Sequence, residues 1–236
     1  MNENNKNNFE KKDKYSFDDF IKIMKTLISE DGCPWDKVQT HETLKRYLIE
    51  ESYEVIDAID NNDKENLCEE LGDVLLQVVF HSILAEKDSE FSLNDVIDGV
   101  AKKMIYRHPH IFSDVSAETA DDVLTNWEEL KKKEKGYNSK SDVLKSVPKS
   151  LPSLMRAEKV IKKADDSISE KDKLTETINE LKNFVSGLDT NNLINSDDKE
   201  KTIGDLLFLA TKISTGLKIN TEFALTNSTE TFINKF

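Results

Sequence analysis

Residues 50–73 read EESYEVIDAIDNNDKENLCEELGD. The apolar residues Val55, Ile56 and Ile59, then Leu67, Leu71, Val74, Leu75 and Val78, recur at helical spacing. Polar residues 61–64 between the two sets predict a turn, so the stretch reads as a helical hairpin. Glu51 and Glu54 are three residues apart, as are Glu70 and Asp73, and side chains at that spacing lie one above the other on a single helix face. Glu54 and Glu70 stand about two turns from the bend, so an antiparallel hairpin brings both pairs to one level. Four carboxylates are expected to converge.

Eleven acidic residues against three basic ones occupy positions 42–73, and like charges at helical spacing repel unless a cation or solvent compensates them. A solvated acidic face is the plain account of any one such pair. Two pairs facing each other across a hairpin, on helices that also carry apolar stripes, favour a bound cation. Carboxylate oxygens suit hard cations, and Mg²⁺ usually completes its shell with water and substrate phosphates.

The chain has 236 residues, with only seven Gly and four Pro, which favours a mostly helical protein of one large or two small domains. A net charge of −13 argues against nucleic acid or an anionic membrane as main partner, though not against a phosphorylated ligand whose charge a metal offsets. Cys33 and Cys68 lack metal-ligand spacing, and Cys68 falls in the apolar register of the second hairpin helix; a reduced, cytoplasmic protein is expected. No stretch has the length and apolarity of a membrane span, and residues 1–14 read as a disordered Asn/Lys leader with no signal-peptide core.

Outward from the hairpin, Ser16 or Asp18 is placed to cap a first helix with an apolar stripe from Phe17 to Ile28. CPWDKVQTH reads as a loop in which Trp35 is expected to plug the core, and Thr40 with Thr43 marks the next helix start. Residues 93–107 predict a further helix that Pro109 breaks. On it Lys103 and Arg107 share a face, as ordinary solvated charge or as a point charge and a planar fork for phosphate oxygens. His108 and His110 lack further partners for a metal. Residues 118–135 form a charged helix carrying Trp127, residues 136–152 read as a linker with two of the four Pro, and residues 151–164 as a helix joining two halves.

LGDVLLQVV at 71–79 is echoed by IGDLLFLAT at 203–211, and ESYEV at 51–55 more faintly by TINEL at 177–181, which points to a duplicated helical unit. In the echo Thr177 and Thr202 stand for Glu51 and Glu70, while Glu180 and Asp205 keep their carboxylates. The second copy keeps the apolar spine and loses half of the acidic set.

GCPWDKVQTHETL, EESYEVIDAI, EELGDVLLQVVF and RHPHIF, in this order, resemble the bacterial MazG family of nucleoside triphosphate pyrophosphohydrolases, most strongly over residues 17–135. The resemblance implies an all-α, dimeric, Mg²⁺-dependent enzyme, with Mn²⁺ as a substitute, that releases a nucleoside monophosphate and pyrophosphate. It places the metal on Glu51, Glu54, Glu70 and Asp73, the phosphates on Lys103 and Arg107, and the base against Trp127. Glu50 lies beside the ligand face and is expected at most to orient water. The second repeat has Thr231 and Lys235 where the first has Lys103 and Arg107, so the working site is expected in the first.

The expected architecture is all-α, with two such helical repeats forming four-helix-bundle arrangements through dimerisation: a leader at 1–14, a catalytic repeat at 15–135, a linker at 136–152 and a degenerate repeat at 153–236. The expected role is cleansing of the nucleotide pool. The alternatives are a narrower dNTP or modified-nucleotide pyrophosphatase and a noncatalytic dimeric scaffold.

Overall fold

The computed structural model describes residues 11–165, 167–189 and 198–236. Among them there are helices, turns and loops and no strand. The helices group into two compact units that divide between Glu118 and Thr119.

In the first unit, Ser16 caps α1 (Phe17–Ile28) through a reciprocal bond with Asp19, and Thr40 caps α2 (His41–Asp60) in the same way with Thr43. Between them Gly32 makes a tight turn in which any Cβ would meet the Leu27 carbonyl oxygen at 2.3 Å. Asn61 and Asn62 form the bend, Asn62 with a φ of 52°, and Asp63 caps α3 (Lys64–Lys87). α2 and α3 pack along their length, with α1 and α4 (Leu93–Arg107) also against α3. Pro109 opens the one-turn helix α5 (Pro109–Phe112), as suits a residue that has no N–H to leave unpaired.

The core lies at the far end of the hairpin from its bend. Met24 and Ile28 of α1, Leu44 of α2, and Val79, Phe80, Ile83 and Leu84 of α3 are buried together. Nearer the bend the same helices leave Ile59, Leu71, Leu75 and Val78 exposed. Cys68 is also exposed, because its turn of α3 precedes the buried stretch, so the apolar register did not bring burial there.

In the second unit, α6 (Ala120–Glu134) and α7 (Lys140–Lys145) precede α8 (Ser153–Ala164), α9 (Lys171–Ser186), α10 (Lys199–Gly216) and α11 (Thr221–Ile233). α10 packs against α8, α9 and α11, just as α3 packs against α1, α2 and α4, so the element order of the first unit recurs. The stretch read as a linker carries α7 and buries Val143 and Val147. α6 groups with the later helices, held by an ion pair of 3.1 Å between Glu128 and Lys163. Of the expected leader, residues 1–10 fall outside the described residues, while Lys12 pairs with Asp19 at 2.7 Å. No described helix is long and apolar enough to cross a membrane.

Candidate active site

The bend sets the register of α2 against α3, and with it the level at which their acidic residues meet. Carboxylate oxygens of Glu51, Glu70 and Asp73 all lie within 4.8 Å of one another, each side chain partly buried. Glu54 is more exposed and completes the group by contacting the carboxylates of both Glu51 and Glu70. Burial, then the charges of Asp73 and Glu54, hold the Glu51 carboxyl above its ordinary range; burial and Glu54 do the same to Glu70. Among the described residues no lysine or arginine forms an ion pair with any of the four. Such a set of oxygen donors, with no imidazole or thiolate among them, fits a hard divalent cation.

The echoed hairpin differs in this respect. Glu180 is paired with Lys212 at 2.9 Å and Asp205 with Lys201 at 2.6 Å. Thr177 is buried and donates its hydroxyl to the Lys173 carbonyl at 2.9 Å, while Thr202 donates to Asp198 at 3.1 Å. The remaining carboxylates there already have cations of their own. Lys201, one turn before Asp205, was a readable sign of this; Lys212 lies 32 residues from Glu180 and needed the folded hairpin.

Of the other expected site residues, Glu50 is exposed and close enough to Arg46 to interact with it electrostatically. Lys103 and Arg107 share a face of α4, Lys103 partly and Arg107 fully buried, which a freely solvated Arg would not be. His108 turns Nδ1 to the Met104 carbonyl at 2.6 Å. Trp127 is partly buried on α6, in the second unit.

Trp35 is not the core plug expected of it: it is 49% exposed, edge-on to Tyr47 with ring centroids 5.8 Å apart. The loop before α2 keeps it at the rim of a cavity of about 240 Å³ whose lining also includes Tyr47, Gln77, Glu51 and Asp73. Gln77 of that lining is buried, a polar side chain that the apolar spacing did not single out. The signal was a single amide inside the apolar run VLLQVVF.

Fold and cluster together define a class, an all-α protein with a carboxylate cluster on a helical hairpin that could hold a metal ion. The family model described as the MazG nucleotide pyrophosphohydrolase domain matches residues 39–112, which contain the whole hairpin. Over 227 residues the chain is 37% identical to the nucleoside triphosphate pyrophosphohydrolase of Escherichia coli (strain K12), covering 93% of this chain and 85% of that protein. It is 38% identical to the nucleoside triphosphate pyrophosphohydrolase/pyrophosphatase MazG of Thermotoga maritima, covering 93% and 84%. The uncharacterized protein YabN of Bacillus subtilis (strain 168) is 50% identical over 148 residues, 63% of this chain and 30% of YabN, so the match spans less than a third of that protein. The chain belongs to the MazG family.

Proposed function

We infer that this chain is a nucleoside triphosphate pyrophosphohydrolase, cutting between the α and β phosphates to release a nucleoside monophosphate and pyrophosphate. We further propose that the reaction runs on the first hairpin. One observation carries that placement: Glu51, Glu70 and Asp73 converge with no basic partner among the described residues, whereas both carboxylates of the second hairpin are paired with lysine. Like charges at this density raise the energy of the folded chain unless something positive joins them.

Glu51, Glu54, Glu70 and Asp73 would hold Mg²⁺, or Mn²⁺ in its place. The cation would supply positive charge against the negative charge that develops on the phosphates as water attacks the α phosphorus. Lys103 and Arg107 take phosphate oxygens, the Arg as a bidentate fork. Glu50, beside the ligand face, orients the water; the role of Trp127 against the base rests on the family resemblance alone.

A second copy of the chain completes the fold. Leu71, Leu75 and Val78 on α3 and Ile97 and Val100 on α4 are all exposed, an apolar surface that a partner's hairpin would cover in a four-helix bundle. The physiological role is cleansing of the cytoplasmic nucleotide pool. The test is pyrophosphate release over a panel of ordinary and modified triphosphates, with and without Mg²⁺. Metal-dependent release is expected, and wild-type turnover by Glu54→Gln would remove the hairpin from the chemistry.

A further inference from the structure

His41 opens α2 and His81 lies in the C-terminal half of α3, and the proposed reaction uses neither. Both rings are partly buried, with their planes 1° apart, their centroids 5.0 Å apart and the two Nδ1 atoms at 2.7 Å. The nitrogens are too close for face-to-face stacking, so the imidazoles meet end to end, in a geometry that suits one Nδ1–H donating to the other Nδ1. One proton lies between the rings, and there is no room for two.

Nothing nearby compensates a second charge. Among the described residues neither ring has a further hydrogen-bonding or ionic partner, and the one charge that acts on His81 is that of His41. On α2, Glu42 is spent on Lys45 at 2.6 Å; Lys25 of α1 and Glu86 of α3 pair with each other at 2.7 Å; on α4, Asp95 accepts from Ser92 at 2.6 Å. His41 is also the first residue of α2, at the helix end that disfavours an imidazolium. A pair with one charge keeps its hydrogen bond, because the charged ring still donates Nδ1–H to the neutral one. A pair with two charges has two donors and no acceptor.

We propose that His41 and His81 form a proton-operated latch between the start of α2 and α3, shut while the pair carries no more than one charge and opened by a second proton. A hydrophobic pair at these positions would hold the two helices together at every pH; the histidines make the packing conditional. What the latch holds includes the walls of the cavity beside the carboxylates. Leu44, one turn after His41, and Gln77, one turn before His81, are both buried and both line it, as does Phe80. Thr40, the cap residue next to His41, ends the loop that carries Trp35 to the rim. Acid thus loosens the hairpin at the end away from its bend. The latch needs no substrate, so it stands or falls apart from the triphosphate chemistry.

The experiment follows the full chain, isotope-labelled at its histidine nitrogens, by NMR in wild type, His41→Asn and His81→Asn. In wild type, coupling between the two Nδ1 nuclei across the hydrogen bond is expected at about pH 7.5, above the ordinary histidine range, and should vanish in mild acid. Once opened, the rings take up protons near the ordinary value of 6.5, whereas the shut pair resists the second one, so opening gains as pH falls below that value. Exchange of amides 44–48, corrected for its intrinsic pH dependence, should therefore rise about tenfold per pH unit there, the slope of an opening that takes up one proton. Either Asn variant should lose that slope, whatever its absolute exchange rate. Turnover is not the readout, because Glu51 and Glu70, both raised, change charge in mild acid as well. No Nδ1–Nδ1 coupling at about pH 7.5 in wild type, or a slope that survives in both variants, would overturn the latch.

Discussion

Asp73→Asn keeps the shape of its side chain and one oxygen while removing one of three carboxylates whose oxygens lie within 4.8 Å of each other. Loss of a single preorganised electrostatic group at a reacting centre costs about 10²–10³ in kcat, or about 2.7–4 kcal/mol of barrier. A drop of that size is expected in pyrophosphate release at saturating triphosphate and Mg²⁺. Stability should move the other way. The charge of Asp73 is among the causes that hold Glu51 above its ordinary range, so neutralising it relieves repulsion, and Tm without metal should stay level or rise. Asp205→Asn is the internal control, because it removes an i,i+4 pair whose side chains are 74% and 48% exposed, an arrangement that contributes little. Its rate should stay within about twofold of wild type, since no step is assigned to it. Equal losses in the two variants, or the larger loss at Asp205, would show that the active site had been put in the wrong hairpin.

The raised Glu51 and Glu70 disfavour their charged forms in the folded chain, so the metal-free protein should lose stability as pH climbs from the ordinary carboxylate value of 4.5; Mg²⁺ binds the charged forms, and the Tm increment it gives should be larger near pH 7 than near pH 5. A pH-independent increment in a thermal-shift series would contradict this. Arg107→Lys keeps the charge and loses the planar fork, so kcat/KM should fall about tenfold or more if the side chain grips phosphate, and equal kcat/KM would make Arg107 structural. His41 and His81 approach Nδ1 to Nδ1 at 2.7 Å, which requires at least one neutral ring, and burial with the charge of His41 holds His81 below its ordinary 6.5. The unfolded chain therefore binds the proton better, Tm should drop as pH falls through about 6.5, and His81→Asn should flatten that slope in a thermal melt.

Helical hairpins were legible because their signals are local. The 3.6-residue spacing of Val55, Ile59, Leu67 and Leu71, the Thr40 and Ser16 caps and the polar bend at Asn61 all lie within a few turns of what they specify. Burial was less legible. Leu71 and Leu75 lie roughly opposite Phe80 around α3 and stay exposed while Phe80 packs with Met24 and Ile28 of α1, and the sequence of α3 does not say which of its apolar faces α1 covers. Residues 136–152 read as a linker because Pro and Ser dominate them, while Val143 and Val147, the two side chains that anchor them, are too few to form a periodic pattern.

Opposite charge brought from a distant position is the part of the site that spacing rules cannot see. Counting carboxylates ranks the first hairpin above the second by four to two, but a count treats Glu180 and Asp205 as half of a site. The folded hairpin shows each already matched by a lysine, one of them from across the bend. The same apolar spine thus occurs twice in one chain under two electrostatic regimes. Where lysines neutralise the acids, the hairpin is self-sufficient. Where they do not, Glu51 and Glu70 are held above their ordinary range and the folded chain carries repulsion that a ligand can relieve. A structural hairpin had a compensating solution available in its own sister copy, and that no lysine or arginine among the described residues pairs with Glu51, Glu70 or Asp73 is what supports the cation proposed for them.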